Sequence, residues 1–282
     1  MHIATQNHND PAYERLFNDL IAHTFGFSFA PWHALGLWDE QYESHAIIEH
    51  GIMLANICVF KRELLIYGRP QLTLQLGAVA TRESHRGRGL SRRIMEHISA
   101  AYPDVPALLS ANEQVTGFYP RFGFRLALDM CPTLDCRIDN PHIAPHKLAF
   151  TDPAVREAVW SRRNYSAVFD SINAPSVRMF HLLFDYSDDI YALPAQGAIV
   201  VAQKKGDMLF VADVMSGGEV AWTQLAEALP FSGVRKVEFG FCPDLLGVEP
   251  DWQPLDGHKD PYFIRGDWSM PDRARFPVMD FT

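Results

Sequence analysis

No apolar run in this chain approaches the ~20 residues that a helix needs to span a bilayer, and its opening, MHIATQNHND, is polar where a signal peptide would be apolar. A cytoplasmic protein without a membrane partner is therefore expected. Cysteine is scarce, with only Cys58, Cys131, Cys136 and Cys242. These four make no CxxC pair and no dense disulfide framework, and Cys58 lies within an apolar strand pattern, so buried thiols and no metal site are expected. Positive charge is also in deficit. Lys and Arg number 25 against 34 Asp and Glu, giving a net charge of −9 and a pI near 5.7. That balance argues against general affinity for nucleic acid and favours a cationic or amine-bearing partner. Two common phosphate loops are missing as well, since the chain has no GxxxxGK[ST] and no GxGxxG followed by an acidic residue on a second strand. What is present is a globular composition, 48% hydrophobic, in a chain of 282 residues that is long enough for two ordinary domains.

The most informative stretch is Leu72 to Met95, LTLQLGAVATRESHRGRGLSRRIM. Its first part alternates, with Leu72, Leu74, Leu76 and Ala78 on one face and Thr73, Gln75, Gly77 and Val79 on the other, which predicts a strand. Leu90, Ile94, Ile98 and Ala101 then recur at helical spacing, and the pattern stops at Tyr102 because Pro103 disfavours a helical residue before it. Between strand and helix lies His85-Arg86-Gly87-Arg88-Gly89. Two glycines permit positive φ and close approach of a ligand, where a new helix presents unpaired N–H groups. Successive amides from about Gly87 to Ser91, the helix dipole and the charges of Arg86 and Arg88 together suit a pyrophosphate. Roughly thirty residues further on, Val105 to Ser110 reads as a short buried strand. Asn112 follows as an N-cap, Glu113 lies in the first turn and Pro120 is the stop, which places Tyr119 at a helix end.

The pattern of a strand, SHRGRGLS and a helix resembles the acetyl-CoA loop of the GNAT N-acetyltransferase superfamily, usually [QR]xxGxG[AG]. The match is at Gly87 and Gly89, with Ser84 where the family usually has Gln or Arg. FYPRFGF, residues 118–124, resembles the family's FYxxxGF, and the two motifs stand in the family's order and distance over about residues 45–125. The resemblance implies acetyl-CoA as cosubstrate. Its pyrophosphate would lie on Arg86, Gly87, Arg88, Gly89, Leu90 and Ser91, and its pantetheine along Val79, Ala80 and Thr81, where the family's sheet splays open. Asn112 joins the cofactor-binding set, and Tyr119 is the implied catalytic residue, a general acid beside the sulfur. The base is open between Glu49, His50 and a chain of waters. Relatives of the enhanced-intracellular-survival type have THRRRGL and IYGRFGY segments similar to SHRGRGL and FYPRFGF. They use a terminal carboxylate as base, to which the PVMDFT ending here does not clearly correspond.

Elsewhere, residues 11–25 read as an amphipathic helix opening at Pro11. The aromatic-rich FGFSFAPWHALGLW follows, a composition that can wall a pocket or fill a core. Ile47 to Phe60 reads as two strands broken at His50-Gly51, continued by Lys61 to Ile66 to the Gly68-Arg69-Pro70 turn. Strands around Phe124 to Met130 and Cys131 to Arg137 should extend the sheet, and Asn140-Pro-His-Ile-Ala-Pro-His reads as a linker. After it, a hairpin (Ala198 to Gln203 with Met208 to Val214), a helix (Glu219 to Leu229) and a strand (Arg235 to Phe241) repeat the order of elements without the residues. Where the phosphate loop would be stands Met215-Ser-Gly-Gly-Glu219, whose carboxylate would oppose an anion. The expected fold is α/β: a mixed, mostly antiparallel GNAT sheet flanked by helices in residues 1–140, then a degenerate GNAT-like α/β domain in 141–282. That second domain would cover the open edge of the first or form a homodimer contact. The expected partner is a small-molecule or peptide amine acceptor. A non-catalytic acyl-CoA sensor is the alternative, and nucleic-acid binding through HRGRGLSRR is disfavoured.

Overall fold

The computed structural model describes residues 2–6, 10–112, 115–255 and 260–281. The chain begins with β1 (Ile3–Gln6) and α1 (Pro11–Phe25). Asp10 caps α1 through its carboxylate, which accepts from the amides of Ala12 and Tyr13 at 3.0 and 3.1 Å, while Pro11 occupies a first-turn position that needs no donor. The short α2 (Ala30–Ala34), β2 (Tyr42–Glu49), β3 (Ile52–Ile66) and β4 (Arg69–Thr81) follow. The β3–β4 turn is Tyr67-Gly68, both at positive φ, so Arg69 and Pro70 belong to the strand rather than to the turn expected from sequence. Next come α3 (Leu90–Ala101), ending before Tyr102 as its Pro103 requires, β5 (Ala107–Ser110), β6 (Arg125–Leu126) and β7 (Met130–Ile138). The rest is α4 (Pro153–Ser161), β8 (Phe169–Ile172), α5 (Pro175–Phe184), β9 (Ile190–Leu193), β10 (Ala198–Lys205), β11 (Met208–Met215), α6 (Trp222–Ala228), β12 (Val234–Phe239), β13 (Asp251–Pro254) and β14 (Tyr262–Arg265).

These strands make two mixed, mostly antiparallel sheets. The first runs β1-β2-β3-β4-β5-β14-β6, with β8 paired to the distal end of β3; the second runs β13-β7-β12-β11-β10-β9. Each contains the same unit: an antiparallel hairpin (β3–β4, β10–β11), a helix (α3, α6) and a strand parallel to the second arm of the hairpin (β5, β12). On the far side of that parallel strand each sheet takes a strand from the other half of the chain. β14 comes from the C-terminal region to lie beside β5, and β7 comes from before the linker to lie beside β12. Residue 140 thus divides the chain but not the sheets, and Cys131 to Arg137 extends the second sheet rather than the first. The linker is anchored as well, because the Asn140 amide donates to the carbonyls of Ala226 and Leu229 at the end of α6, at 2.9 and 3.0 Å.

The face of the first sheet that carries α1 and α2 shares one apolar core with the second half, in which Phe17, Leu20, Trp32 and Tyr42 pack with Val155, Leu182, Val201 and Met279. The opposite face is covered by α3. Between the sheets runs a buried set of charges. Arg162 sits 2.9 Å from Asp213 and 3.5 Å from Asp170, and Arg178 lies 2.7 Å from Asp280. Burial raises the Asp213 carboxyl to about 6 even though both arginines oppose that shift. The C-terminal segment closes the second sheet, with the Val278 amide donating to Gly240 O at 2.8 Å. A Cβ on Gly240 would stand 2.6 Å from the Val278 side chain, which is why a glycine sits there.

Candidate functional site

The first sheet opens at one place. β4 and β5 run parallel only through Leu74↔Ala107, Gln75↔Leu108 and Leu76↔Leu109, and beyond Leu76 no strand among the described residues faces β4 on that side. At the same point the β3–β4 ladder slips. Asn56 opposes Ala80 and Cys58 opposes Gly77, so Ala78 and Val79 stand against the single residue Ile57. Ala78 takes φ +46°, in the left-handed region that a residue with a Cβ seldom enters. This bulge overturns part of the alternation read from sequence. Ala78 turns to the α1 face with Ala80, and Val79 turns to the α3 face with Leu74 and Leu76, because one extra residue reverses every side chain after it. Ala80 and Thr81 keep their ladder partners in β3, and their other edge faces the opening.

The loop at the head of the opening has the conformation that its glycines suggest. Gly87 and Gly89 take φ +78° and +73°, and a Cβ on either would meet nothing, so backbone conformation rather than crowding selects glycine. Gly89 is the N-cap of α3 and supplies no side-chain cap, which leaves the first-turn amides for a ligand. Leu90, 3% exposed, pins the helix start into the core. Ser91 Oγ lies 2.7 Å from Thr81 Oγ1, and Arg86 Nε donates to Thr81 O at 3.3 Å, so the end of β4 and the start of α3 are fastened together. Arg82 binds Met53 O at 2.9 Å and pairs with Asp19 of α1, fixing the loop's other end. Arg88 is exposed and makes no hydrogen bond or ion pair among the described residues.

Tyr119 is 4% exposed and packed between Phe118, Phe124 and Phe263, with ring centroids at 5.3, 6.2 and 6.0 Å. It belongs to the same apolar cluster against which Val79 packs. Burial pushes its hydroxyl up to about 12, so it keeps its proton at neutral pH. Among the described residues, 115–120 do not take up the α-helix expected from Asn112 to Pro120. Val115 N donates to Asn112 O and Phe118 N to Val115 O, three-residue turns that lead into a 3-10 segment, Tyr119–Phe122. Pro120 ends no α-helix but opens that segment, and Glu113 lies outside the described residues. Asn112 follows β5 at the far lip of the opening. Glu49 and His50 sit at the β2–β3 hairpin. Ile57 faces the bulge, and the Glu49↔Ile52 pair lies five residues beyond it, about 16 Å at the rise of a strand.

One group that the sequence reading passed over lies behind the bulge. The Asn56 amide donates to Ala78 O at 3.1 Å, its carbonyl oxygen accepts from Ser44 Oγ at 2.5 Å, and Ser44 Oγ lies 2.8 Å from Tyr13 Oη. The available signal was a polar residue inside the apolar run IMLANICVF. In the second half nothing equivalent to the loop exists among the described residues. Neither Gly217 nor Gly218 is left-handed, Ser216 O is occupied by the Arg163 amide, and Glu219 pairs with Arg163 at 3.3 Å. A cavity of about 500 Å³ beside Met215 and Ser216 is bordered by Asp152 and Glu157, carboxylates that would repel a phosphate.

Residues 10–127 match the family model described as an acetyltransferase (GNAT) domain. Solved structures extend the likeness over both sheets. A conserved protein of unknown function from Enterococcus faecalis superposes with a TM-score of 0.61 at 12% identity, covering 94% of this chain and 73% of its own. Eis1 from Mycobacterium abscessus gives 0.58 at 16% identity, covering 93% and 73%. A GCN5-related N-acetyltransferase from Kribbella flavida gives 0.54 at 16%, covering 94% and 72%. No curated protein matches the sequence. The match to the GNAT acetyltransferase domain model thus falls on the first part of the chain, within a two-sheet fold that the whole chain shares with these structures. Among the described residues no helix is long and apolar enough to cross a membrane.

Proposed function

We propose that the chain is an N-acetyltransferase that passes the acetyl group of acetyl-CoA to an amine, small-molecule or peptide, by direct attack on the thioester. The observation that carries this reading is the junction at the end of β4. There a free strand edge, opened where β5 departs after Leu76, runs into an uncapped helix N-terminus flanked by two left-handed glycines. A pyrophosphate suits the amides from Gly87 to Ser91 with Arg86 and Arg88 beside them, and an amide-bearing pantetheine suits the edge of Val79, Ala80 and Thr81. The amine's lone pair forms the new C–N bond, the C–S bond breaks, and the thiolate takes up a proton while the amine loses one. Holding the reactants in line supplies much of the acceleration. Tyr119, whose hydroxyl stays protonated, is the donor to the thiolate. Glu49 and His50 stand too far along the hairpin to reach the bulge, which leaves water as the carrier of the amine's proton. The second half, whose Gly217 and Gly218 are not left-handed at the loop's counterpart, serves as support for the first sheet. Calorimetric titration with acetyl-CoA, followed by thiol release over a panel of amines, tests the proposal. Failure to bind acetyl-CoA overturns it, and binding without release on any amine makes the chain an acyl-CoA-binding protein instead.

A further inference from the structure

Ala78 holds a left-handed backbone although it is not glycine, a conformation that costs about 1–2 kcal/mol and persists only where the surroundings impose it. The side chain bonded to Ala78 is that of Asn56. It is fully buried, and both ends of its amide are engaged: the nitrogen on Ala78 O, the oxygen on Ser44 Oγ, which is held in turn by Tyr13. Ala78 and Val79 have no ladder partners in β3, so Asn56 supplies by a side chain the donor that the strand cannot. A trans peptide keeps its carbonyl and the following N–H on opposite sides. With the Ala78 carbonyl drawn towards β3, the Val79 N–H turns away from β3, to the side from which β5 has departed.

Resting on the acetyl-CoA reading above, we propose that Asn56, braced by Ser44 and Tyr13, is a positioning residue that aims the Val79 N–H at the acyl oxygen of the thioester. The residues that hold the pyrophosphate lie after Thr81, in the loop and the first turn of α3, and Asn56 touches none of them. Its loss should therefore leave binding of CoA itself alone and remove only what the acyl group adds. The asparagine, Ser44 and Tyr13 come from β3, β2 and α1, which ties the amide's direction to three elements at once.

The test compares calorimetric affinities for CoA and acetyl-CoA in the full chain. The wild type should prefer acetyl-CoA by about 5- to 10-fold, the range of one hydrogen bond. Asn56→Leu should bind CoA within about 2-fold of wild type, a change too small for a lost hydrogen bond, and show no preference. Ser44→Ala, which keeps the asparagine but removes its brace, should lose part of the preference, and it decides the question if Asn56→Leu does not fold. A preference retained in the variants, or equal affinities in the wild type, overturns the positioning role, as does a parallel loss of CoA and acetyl-CoA binding, which would mark Asn56 as structural. A wild type that binds neither compound overturns the acetyl-CoA reading instead.

Discussion

Arg88 stands between two left-handed glycines with its guanidinium uncommitted to any described residue, although an arginine on a surface this acidic could readily find a carboxylate. A charge kept free at an uncapped helix start is suited to an anion, and one charge-assisted contact is worth roughly 1.5–3 kcal/mol. Arg88→Glu should therefore weaken acetyl-CoA binding by tenfold or more while the melting temperature stays put, as titration beside a thermal melt would show. Equal dissociation constants would remove the phosphate-loop assignment. Tyr119 separates catalysis from binding. Its ring fills an aromatic cluster, and its hydroxyl has no partner among the described residues. Tyr119→Phe keeps the packing and removes only the proton donor. We expect kcat to fall by roughly 10²–10⁴-fold, the usual contribution of general acid catalysis, with little change in acetyl-CoA affinity. An unchanged kcat in steady-state kinetics with a working amine would end the general-acid role.

The strand-loop-helix from β4 to α3 was legible in the sequence because each of its signals is local: a period of two, two glycines, a period of 3.6 and a proline stop. The bulge was not. Nothing in LGAVAT distinguishes a regular strand from one carrying an extra residue, and the side chain bonded to the bulge, Asn56, lies 22 positions away. The turn after Asn112 was misread for a related reason. Its capping residues suit an α-helix, but a helix there would have to carry Gly117 and end against Pro120, and three-residue turns prevail. β2 carries a further consequence. His45 is 2% exposed, and its imidazole is pushed down to about 4, chiefly by desolvation, with the nearby Glu43 carboxylate opposing the shift and His97 adding to it. A histidine depressed in the fold contributes stability that is present above its ordinary value near 6.5 and lost as pH falls towards 4. The melting temperature should therefore fall between pH 6.5 and 4, and His45→Gln should flatten that slope. An unaltered slope would show that other groups, such as His33, which is depressed in the same way, carry the acid sensitivity.

At the scale of the whole molecule, each sheet depends on a strand from the other half of the chain, and this decides what can fold alone. A fragment ending at residue 140 would lack β14, leaving β5 with only the three-residue ladder to β4 and exposing an edge along Ala107 to Ser110. It would lack β8, which covers Glu63 to Ile66 of β3, and the whole second half of the core that surrounds Phe17 and Trp32. The complementary fragment would lack β7, the strand between β12 and β13, so that β13 would have no neighbour at all. The buried charges tighten the dependence. Gln75 and Arg62 of the first sheet share a hydrogen bond of 2.6 Å, and Arg62 also reaches Ser171 of the C-terminal half at 3.4 Å, a contact that either fragment alone would leave half made. A buried donor left unsatisfied costs about 1–3 kcal/mol, more when it is charged. We therefore expect residues 1–140 and 141–282, expressed separately, to be unfolded or insoluble, and the two expressed together to assemble into a particle with the full chain's circular dichroism. The intact chain should melt in one transition, and because Gly217 and Gly218, at the loop's counterpart in the second half, are not left-handed, it should bind one CoA per chain. Two separate transitions, or a soluble and cooperatively folded 141–282 fragment, would mean that the exchanged strands are ornaments on two self-sufficient domains rather than the joints that make one molecule of them.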